Sequence, residues 1–446
     1  MTSDLRRRFL GPAVLAAVIG LPLPTHAGGF ANPEMGERRT GMAAVVGRPD
    51  DLSAVFHNPA GLTLRPGTHL YLSMGVVFMN TQLHLRPWKD IDRFITTPVD
   101  GDGYYPVVSP DHSVAPIPML VASTSLFRER LVGALSFYVP NAGGAFFKED
   151  SVARYHLFES YLVAGVGGLT LAYQPLPWLS VGAGFSLLYV KLYAHRKLFP
   201  ILDGLDLSGF LGGDSDLEIW GSDLVPAWNL GLLLWPHRTL SIGAAFISRS
   251  DVTLDGDVAL TFGDGSLQPG LKMEGTQTTT MLLPWTLLLG INWDLWRFVE
   301  VGAELRYYFL RQFENQHTEI SEIDFITEYD SPKDFSDSWQ IAAGVRVHSF
   351  LDRLELMAGW HYDRSPAPSH TVSLESPFFH HTAIYSGVRY GLGRYRFALT
   401  YVHYWYLERR TEDSITNPPS NFRGSGQNNI LTLTIDVCLG KGLFVK

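Results

Sequence analysis

Between Val299 and Phe309 every second residue is apolar (Val299, Val301, Ala303, Leu305, Tyr307, Phe309), and the interleaved set is Glu300, Gly302, Glu304, Arg306 and Tyr308. A helix would scatter those charges around its circumference. A strand, with its period of two, gathers them on one face and the apolar set on the other. The pattern recurs in Trp339-Ile341-Ala343-Val345-Val347, in Leu354-Leu356-Ala358-Trp360-Tyr362 and in Leu431-Leu433-Ile435-Val437-Leu439. A soluble sandwich also alternates, but three observations point to a wall in lipid. Charged residues lie deep within the strands, many strand ends carry Trp or Tyr, and short turns alternate with long ones. The stretch from Arg394-Tyr395-Arg396 to Tyr404-Trp405-Tyr406 carries such an aromatic girdle at both ends.

Strands are expected at 68-82, 116-127, 130-146, 157-174, 178-196, 225-236, 239-258, 278-294, 297-313, 337-348, 352-363, 380-391, 393-408 and 428-439. That is about fourteen, an even number, as in an all-β transmembrane antiparallel barrel with both ends on the periplasmic side. Closure removes unpaired strand edges, which hydrocarbon does not tolerate. Long connections near 83-115, 197-224, 259-277, 314-336 and 409-427 are assigned to the outer face. The most apolar stretch, Tyr161 to Val190, is cut by Gln174-Pro175-Leu176-Pro177, too early for a membrane helix of about 20 residues.

Composition narrows the function. Charged residues are 18% of the chain, against a usual share of about 25%. A net charge of -9 offers no broad field for phosphates, so no nucleic-acid partner is expected. The single cysteine, Cys438, excludes an intramolecular disulfide, a thiolate zinc site and a Cys-x-x-Cys pair. His380 and His381 are adjacent on a strand, face opposite ways and have no evident third ligand, so no metal is expected. Neither a glycine-rich phosphate loop nor a Gly-x-Ser-x-Gly elbow is present, and no cofactor is expected.

The N-terminus reads as a targeting segment. Arg6-Arg7-Arg8 precede an apolar run from Phe9 to about Pro24, and Thr25-His26-Ala27 offers small residues at a cleavage point. Residues 1-27 are therefore expected to be a cleaved signal, 28-65 a segment that is not a barrel strand, and 66-446 the barrel. The 28-65 stretch is glycine-rich, lacks sustained alternation and contains the turn signature Asn58-Pro59-Ala60-Gly61.

In this setting the chain resembles the FadL family of outer-membrane long-chain fatty acid transporters, which includes channels for toluene and related aromatic hydrocarbons. The matching residues run from Gly28-Gly29-Phe30 through Gly41, Gly47 and Asp50-Asp51 to Asn58-Pro59-Ala60. They continue in Tyr138-Val139-Pro140-Asn141-Ala142-Gly143-Gly144, Gly182-Ala183-Gly184-Phe185, Phe246-Ile247-Ser248-Arg249-Ser250, Leu283-Pro284 and Tyr362-Asp363-Arg364-Ser365-Pro366-Ala367-Pro368. The resemblance implies a fourteen-stranded barrel whose lumen is plugged by an N-terminal hatch, here residues 28-65, an internal site for a hydrophobic ligand near the mature N-terminus, and sideways release at a kink in the third strand. Asn141, Gly143 and Gly144, beside Pro140, fit that kink, because proline lacks a ladder donor and glycine permits a bulge.

The same resemblance places Phe30 in the internal site and gives Asn58, Pro59 and Ala60 a structural role in the hatch. Arg196 has the lumen-facing parity of Gly182, Gly184 and Ser186 and corresponds to a basic lumen residue of the family. Asp363 matches the family's acidic residue. An Arg-Asp pair that tightens the closed state and a cation that binds a carboxylate headgroup are both open to Arg196. Glu300, Glu304, Arg306 and Arg346 are expected to form a lumen-spanning ion-pair network. The apolar loop from Lys197 onward, with Leu198, Phe199, Leu202 and Phe210, is assigned as an outer groove that captures ligand.

These readings converge on a monomeric, non-enzymatic channel of the bacterial outer membrane, surrounded by membrane lipid. It takes up long-chain fatty acids or similar hydrophobic molecules. The competing readings are an aromatic hydrocarbon channel of the same family, an outer-membrane lipid-hydrolysing enzyme with a lipid-facing Ser-His pair, and a ligand-free structural barrel. One departure is that Phe444 is not the terminal residue, where many outer-membrane barrels end on an aromatic.

Overall fold

The computed structural model describes residues 33–442 except 112–113, 128, 203–204, 324–326, 349–352 and 375–377. The expected signal, Phe30 and Phe444 lie outside the described residues. Eighteen segments form one antiparallel sheet, and because four crossings are each broken in two, the chain crosses fourteen times. The unbroken strands at the start are β1 (Thr68–Leu85), β2 (Val114–Phe127), β3 (Leu131–Phe146), β4 (Glu159–Leu176), β5 (Leu179–Leu198) and β6 (Ser215–His237). The broken ones are β7 (Leu240–Ile247, Ser250–Thr261), β8 (Lys272–Leu283, Thr286–Trp296), β9 (Val299–Tyr308, Asn315–Ser321) and β10 (Glu328–Pro332, Ser338–His348). The remaining strands are β11 (Leu354–Asp363), β12 (His381–Leu392), β13 (Tyr395–Thr411) and β14 (Phe422–Gly440). β14 pairs with β1 from Thr68↔Gly440 to Leu85↔Phe422, which closes the barrel.

Alternation dictates which way each side chain points, and the burial is the inverse of a soluble protein's. Trp293, Leu433 and Leu289 are exposed on the outer face, whereas Glu300, Arg306 and Arg346 are buried inside. Several strands run further than alternation indicates: β6 begins at Ser215 rather than 225, β8 at Lys272 rather than 278, and β14 at Phe422 rather than 428. Above the lipid the outer face is wet, so Asp251, Thr253 and Asp255 of β7 are exposed polar residues. Backbone pairing continues there while the hydrophobic period does not.

Residues 33–67 lie inside the barrel. The helix Glu37–Met42 packs on β10 to β14, and the 3-10 helix Pro59–Leu64 packs on β3 to β6 on the other side. The backbone of this segment touches the wall where the wall carries glycine. A Cβ on Gly344 would lie 1.8 Å from the Met42 carbonyl oxygen, one on Gly243 1.9 Å from that of Val46, and one on Gly182 2.4 Å from the Ala60 nitrogen. The inner wall is thus shaped to fit a main chain, not side chains alone.

Replacing Gly344 or Gly243 by Val is expected to displace the N-terminal segment and leave the barrel closed. The measurement is single-channel conductance in planar bilayers together with heat-modifiable gel mobility. The substituted proteins should show higher basal conductance with barrel-like mobility retained, and wild-type conductance in both would refute the fit.

Candidate functional site

The N-terminal segment is fixed by charges that the inward parity of β8 to β13 supplies. Arg38 donates to Glu300 at 2.5 Å and to Asn292 at 2.8 Å, and it pairs with Asp50 at 3.3 Å. Arg346 meets Glu300 at 2.5 Å and Asp50 at 2.7 Å. Arg39 donates to Glu34 at 2.9 Å and to Gln340 at 2.7 Å, while the Glu304 carboxylate accepts from the backbone nitrogens of Val45 and Val46 at 2.7 and 2.9 Å. Arg306 joins Glu304 at 2.5 Å to His57 at 3.0 Å. Such dry charges persist because each is paired and hydrogen-bonded. The four lumen charges expected to form a network do so through the N-terminal segment.

Asn58 shows how local sequence serves the docking. Its Oδ1 accepts from the Ala60 nitrogen at 3.3 Å, and its Nδ2 donates to the Val46 and Leu232 carbonyls at 3.2 and 3.1 Å. Pro59 opens the 3-10 helix, where its missing donor costs nothing. One side chain therefore caps the helix and ties it to β6.

Two cavities lie along the lumen. The outer one, about 290 Å³, is lined by Leu192, Ala194, Arg196 and Leu198 of β5, all of one parity, together with Phe199, Ile320, Tyr329 and His156. The Arg196 guanidinium sits 5.4 Å from the centroid of the Tyr329 ring. His156 Nδ1 lies 3.2 Å from Ser420 Oγ, and its buried Nε2 has no hydrogen-bond partner. Burial, with the Arg196 charge, pushes the His156 pKa down to about 3, so the ring is neutral. Largely apolar walls that also carry Arg196, Glu328, a neutral imidazole and several hydroxyl and amide side chains suit an amphipathic guest.

The inner cavity, about 80 Å³, lies against the N-terminal segment and is lined by Phe56, Tyr138, Asn141, Arg306 and Tyr308, among others. It meets a fault in the wall. β2 and β3 pair only up to Met119↔Tyr138, and the β3–β4 register shifts between Tyr138 and Asn141. Val139 to Ala145 have no partner in β2 until the Asp111 nitrogen donates to the Phe146 carbonyl at 2.7 Å. Pro140 removes one donor, Gly144 comes so close to β4 that a Cβ would lie 2.5 Å from the Ser160 oxygen, and the gap is filled by Ala115, Val139 and Ala142.

The expected site residues are thus dispersed. Arg196 lines the outer cavity and Asn141 the inner one. Asp363, buried at the end of β11, accepts from Gln340 at 2.8 Å, lies 4.0 Å from His381 and belongs to the lining of neither cavity. Leu198 packs with Leu211 and Leu217, and Phe199 stacks edge-on against Trp88, Phe94 and Tyr155 at 5.6, 5.7 and 5.6 Å. Phe210 stays exposed against Phe262, and the Leu202 side chain lies outside the described residues. Sequence reasoning missed His156, Tyr329 and Tyr138 as lining residues. Only long-range pairing brings them to the cavities, although Tyr138 stands beside the proline that marked the kink.

A closed barrel whose apolar face is outward, whose lumen is filled by its own N-terminus and whose cavities are largely apolar defines an outer-membrane channel for hydrophobic molecules. The chain belongs to the outer membrane protein transport protein family (OMPP1/FadL/TodX), whose model matches residues 21–392. It is accordingly a transport channel of the outer membrane and not an enzyme. The fold is similar to that of a Pseudomonas aeruginosa FadL homologue, 17% identical with a TM-score of 0.77 over 92% of this chain and 99% of that one. It is also similar to the Pseudomonas putida toluene transporter TodX, 16% identical with a TM-score of 0.70 over 94% and 99% of the two chains. For the Ralstonia pickettii toluene transporter TbuX the values are 16%, 0.65, 89% and 97%. No curated protein sequence matches the chain.

Removing Glu300 by Ala leaves Arg38 and Arg346 buried without their shared carboxylate, a loss of about 3–5 kcal/mol. Denaturant unfolding of the refolded protein should register it, and a change within about 0.5 kcal/mol would refute the network's role. Glu37 gives a pH signature. Burial and the Asp51 charge push its carboxyl up to about 8, with Arg389 and Arg396 opposing. Because this pKa is raised, the stability it contributes is fully present below about pH 4.5 and is lost as pH rises through about 8. Melting temperature should therefore fall between pH 6 and 9 in the wild type, and less so in Glu37→Gln; equal slopes would contradict this.

Proposed function

We propose that this channel mediates passive uptake of long-chain fatty acids or similar hydrophobic molecules as a monomer in outer-membrane lipid. Ligand is captured at the apolar outer loop around the exposed Phe210, and held in the outer cavity against Phe199 with its carboxylate at Arg196. A rearrangement of the N-terminal hatch passes it to the inner cavity, where Phe30 also belongs, and it leaves sideways at the β2–β3 gap beside Asn141, Gly143 and Gly144. The observation that carries the reading is the outer cavity itself. Its volume of about 290 Å³ is near the low end of ligand sites, roughly 300–1,000 Å³, and its wall, apolar for the most part though it includes Glu328 and several neutral polar residues, is interrupted by Arg196 and the unpartnered nitrogen of His156. An acyl chain fills the first and a carboxylate uses the second. Sideways release spares an apolar ligand the charged lumen around Arg38, Glu300 and Arg346.

The second reading is an aromatic hydrocarbon channel. It is favoured by the likeness to TodX and TbuX, described as toluene transporters, and needs no cation.

Uptake of labelled oleate and labelled toluene in cells lacking their own channel separates the two. Oleate uptake is expected, with Arg196→Ala weakening it roughly ten- to hundredfold through loss of a charge-assisted hydrogen bond. Toluene uptake without oleate uptake, unaffected by Arg196→Ala, would favour the second reading, and uptake of neither would defeat both.

A further inference from the structure

The inner cavity reaches the wall a second time, on the side away from β3. Its lining includes Ala227, Trp228 and Asn229 of β6, Ile247 and Ser248 at the break in β7, and Pro284 at the break in β8. Here the ladder fails again. β6 and β7 pair up to Asn229↔Ile247 and resume at Asp255↔Ser222. Across the interval one backbone bond remains, from the Ser248 nitrogen to the Trp228 carbonyl at 2.9 Å, and side chains supply the others. The Trp228 nitrogen donates to Ser248 Oγ at 2.9 Å, Ser250 Oγ donates to the Pro226 carbonyl at 3.4 Å, and the Thr253 nitrogen donates to Asp223 at 2.7 Å. Pro226 and Pro284 supply no donors of their own.

The outer side of this fault is covered by aromatic rings. Trp228 lies 5.8 Å from Phe246 and 5.8 Å from Trp285, and Phe246 stacks on Trp285 at 5.2 Å. Trp228 is 40% exposed on the outer face and is also a lining residue of the inner cavity, so this residue reaches from the cavity to the surroundings of the barrel. On the turn side of the fault the outward residues are apolar, Leu230, Ile242 and Leu289, and on the other side β7 turns Asp251, Thr253 and Asp255 outward, with Leu224 of β6 the apolar exception. The fault therefore sits at the outer boundary of the apolar band, where Trp rings prefer to lie.

We infer that this fault is a second lateral portal, closed by the Trp228, Phe246 and Trp285 lid, through which apolar molecules dissolved in the outer leaflet exchange with the inner cavity. The inference rests on the proposed channel function. The inner cavity then has two sideways mouths, the gap between β2 and β3 and the break across β6, β7 and β8. The reason is energetic. Side-chain hydroxyls and a carboxylate satisfy the interrupted backbone, so swinging the aromatic lid aside exposes few unpaired donors to lipid. Ligand admitted here bypasses the outer cavity and its cation, which suits molecules without a headgroup.

The test follows release of radiolabelled hexadecane from the detergent-purified protein into acceptor vesicles. Five proteins are compared: wild type, Ala142→Trp to fill the β2–β3 gap, Trp228→Ala to open the lid, the double variant of these two, and Trp228→Phe. Ala142→Trp is expected to slow release without abolishing it, and adding Trp228→Ala should speed it about tenfold. Trp228→Phe, which keeps a ring, should behave as wild type, and heat-modifiable mobility verifies folding in each. If Trp228→Ala leaves release unchanged in both backgrounds while wild type retains and releases hexadecane, the portal is refuted and the channel reading stands. If wild type retains no hexadecane, both fall.

Discussion

In hydrocarbon no water is present to satisfy a backbone N–H or C=O, and an unmet group costs several kcal/mol. That constraint organises the molecule. It requires the pairing of β14 with β1, which removes both edges at once. It also restricts where the ladder can be interrupted. The β2–β3 gap is filled by Ala115, Val139 and Ala142, and the β6–β7 interval is bridged by Ser248, Ser250 and Asp223. Each fault borders the inner cavity, in keeping with the rule that irregular backbone at a membrane wall survives only beside protein or a cavity.

Closing the wall with apolar residues outside leaves the polar half of every strand facing inward, and the lumen is then filled by protein instead of water. The N-terminal segment supplies the complementary charges. Arg38 and Arg39 answer Glu300, Glu304 and Gln340, while Asp50 answers Arg346. Glycines on the wall let the segment's main chain approach, as at Gly344 against Met42 and Gly243 against Val46. Charge and shape therefore point to a single docked position.

The strands in the lipid are legible in sequence because one face is apolar and the other is not, so Glu300, Glu304 and Arg306 declare their side by parity alone. Arg196 is legible for the same reason, through its phase with Gly182 and Gly184. Beyond the lipid the outer face turns polar and the signal ends, which is why Ser215 to Leu224 read as loop but pair as strand. Pro226 and Pro284 mark the broken strands in sequence, but the meeting of Trp228, Phe246 and Trp285 does not follow from them. It depends on the register of three strands, a non-local property that no local pattern encodes. The same holds for Tyr329 and His156, brought to the outer cavity from connections far apart in the chain.

The anchoring of the N-terminal segment is one-sided. Toward β8 to β13 it is held by charged contacts, with Asp294, Glu300, Arg346 and Arg389 among the partners. Toward β5 to β7 the contacts are neutral: Asn58 with the Leu232 carbonyl at 3.1 Å, Asn229 with the Val55 carbonyl at 2.8 Å, Ser180 with the Ala60 carbonyl at 2.9 Å and Ser241 with the Gly47 carbonyl at 2.8 Å. Breaking a buried ion pair costs about 3–5 kcal/mol, whereas a neutral hydrogen bond contributes about 0.5–1.5 kcal/mol. Displacement is therefore cheapest on the β5 to β7 side, with the charged side as the fixed end. That is the side on which Ala227, Asn229 and Ser248 line the inner cavity and its second mouth. The distribution of charge around the lumen thus selects the direction in which a ligand can displace the segment without unseating it.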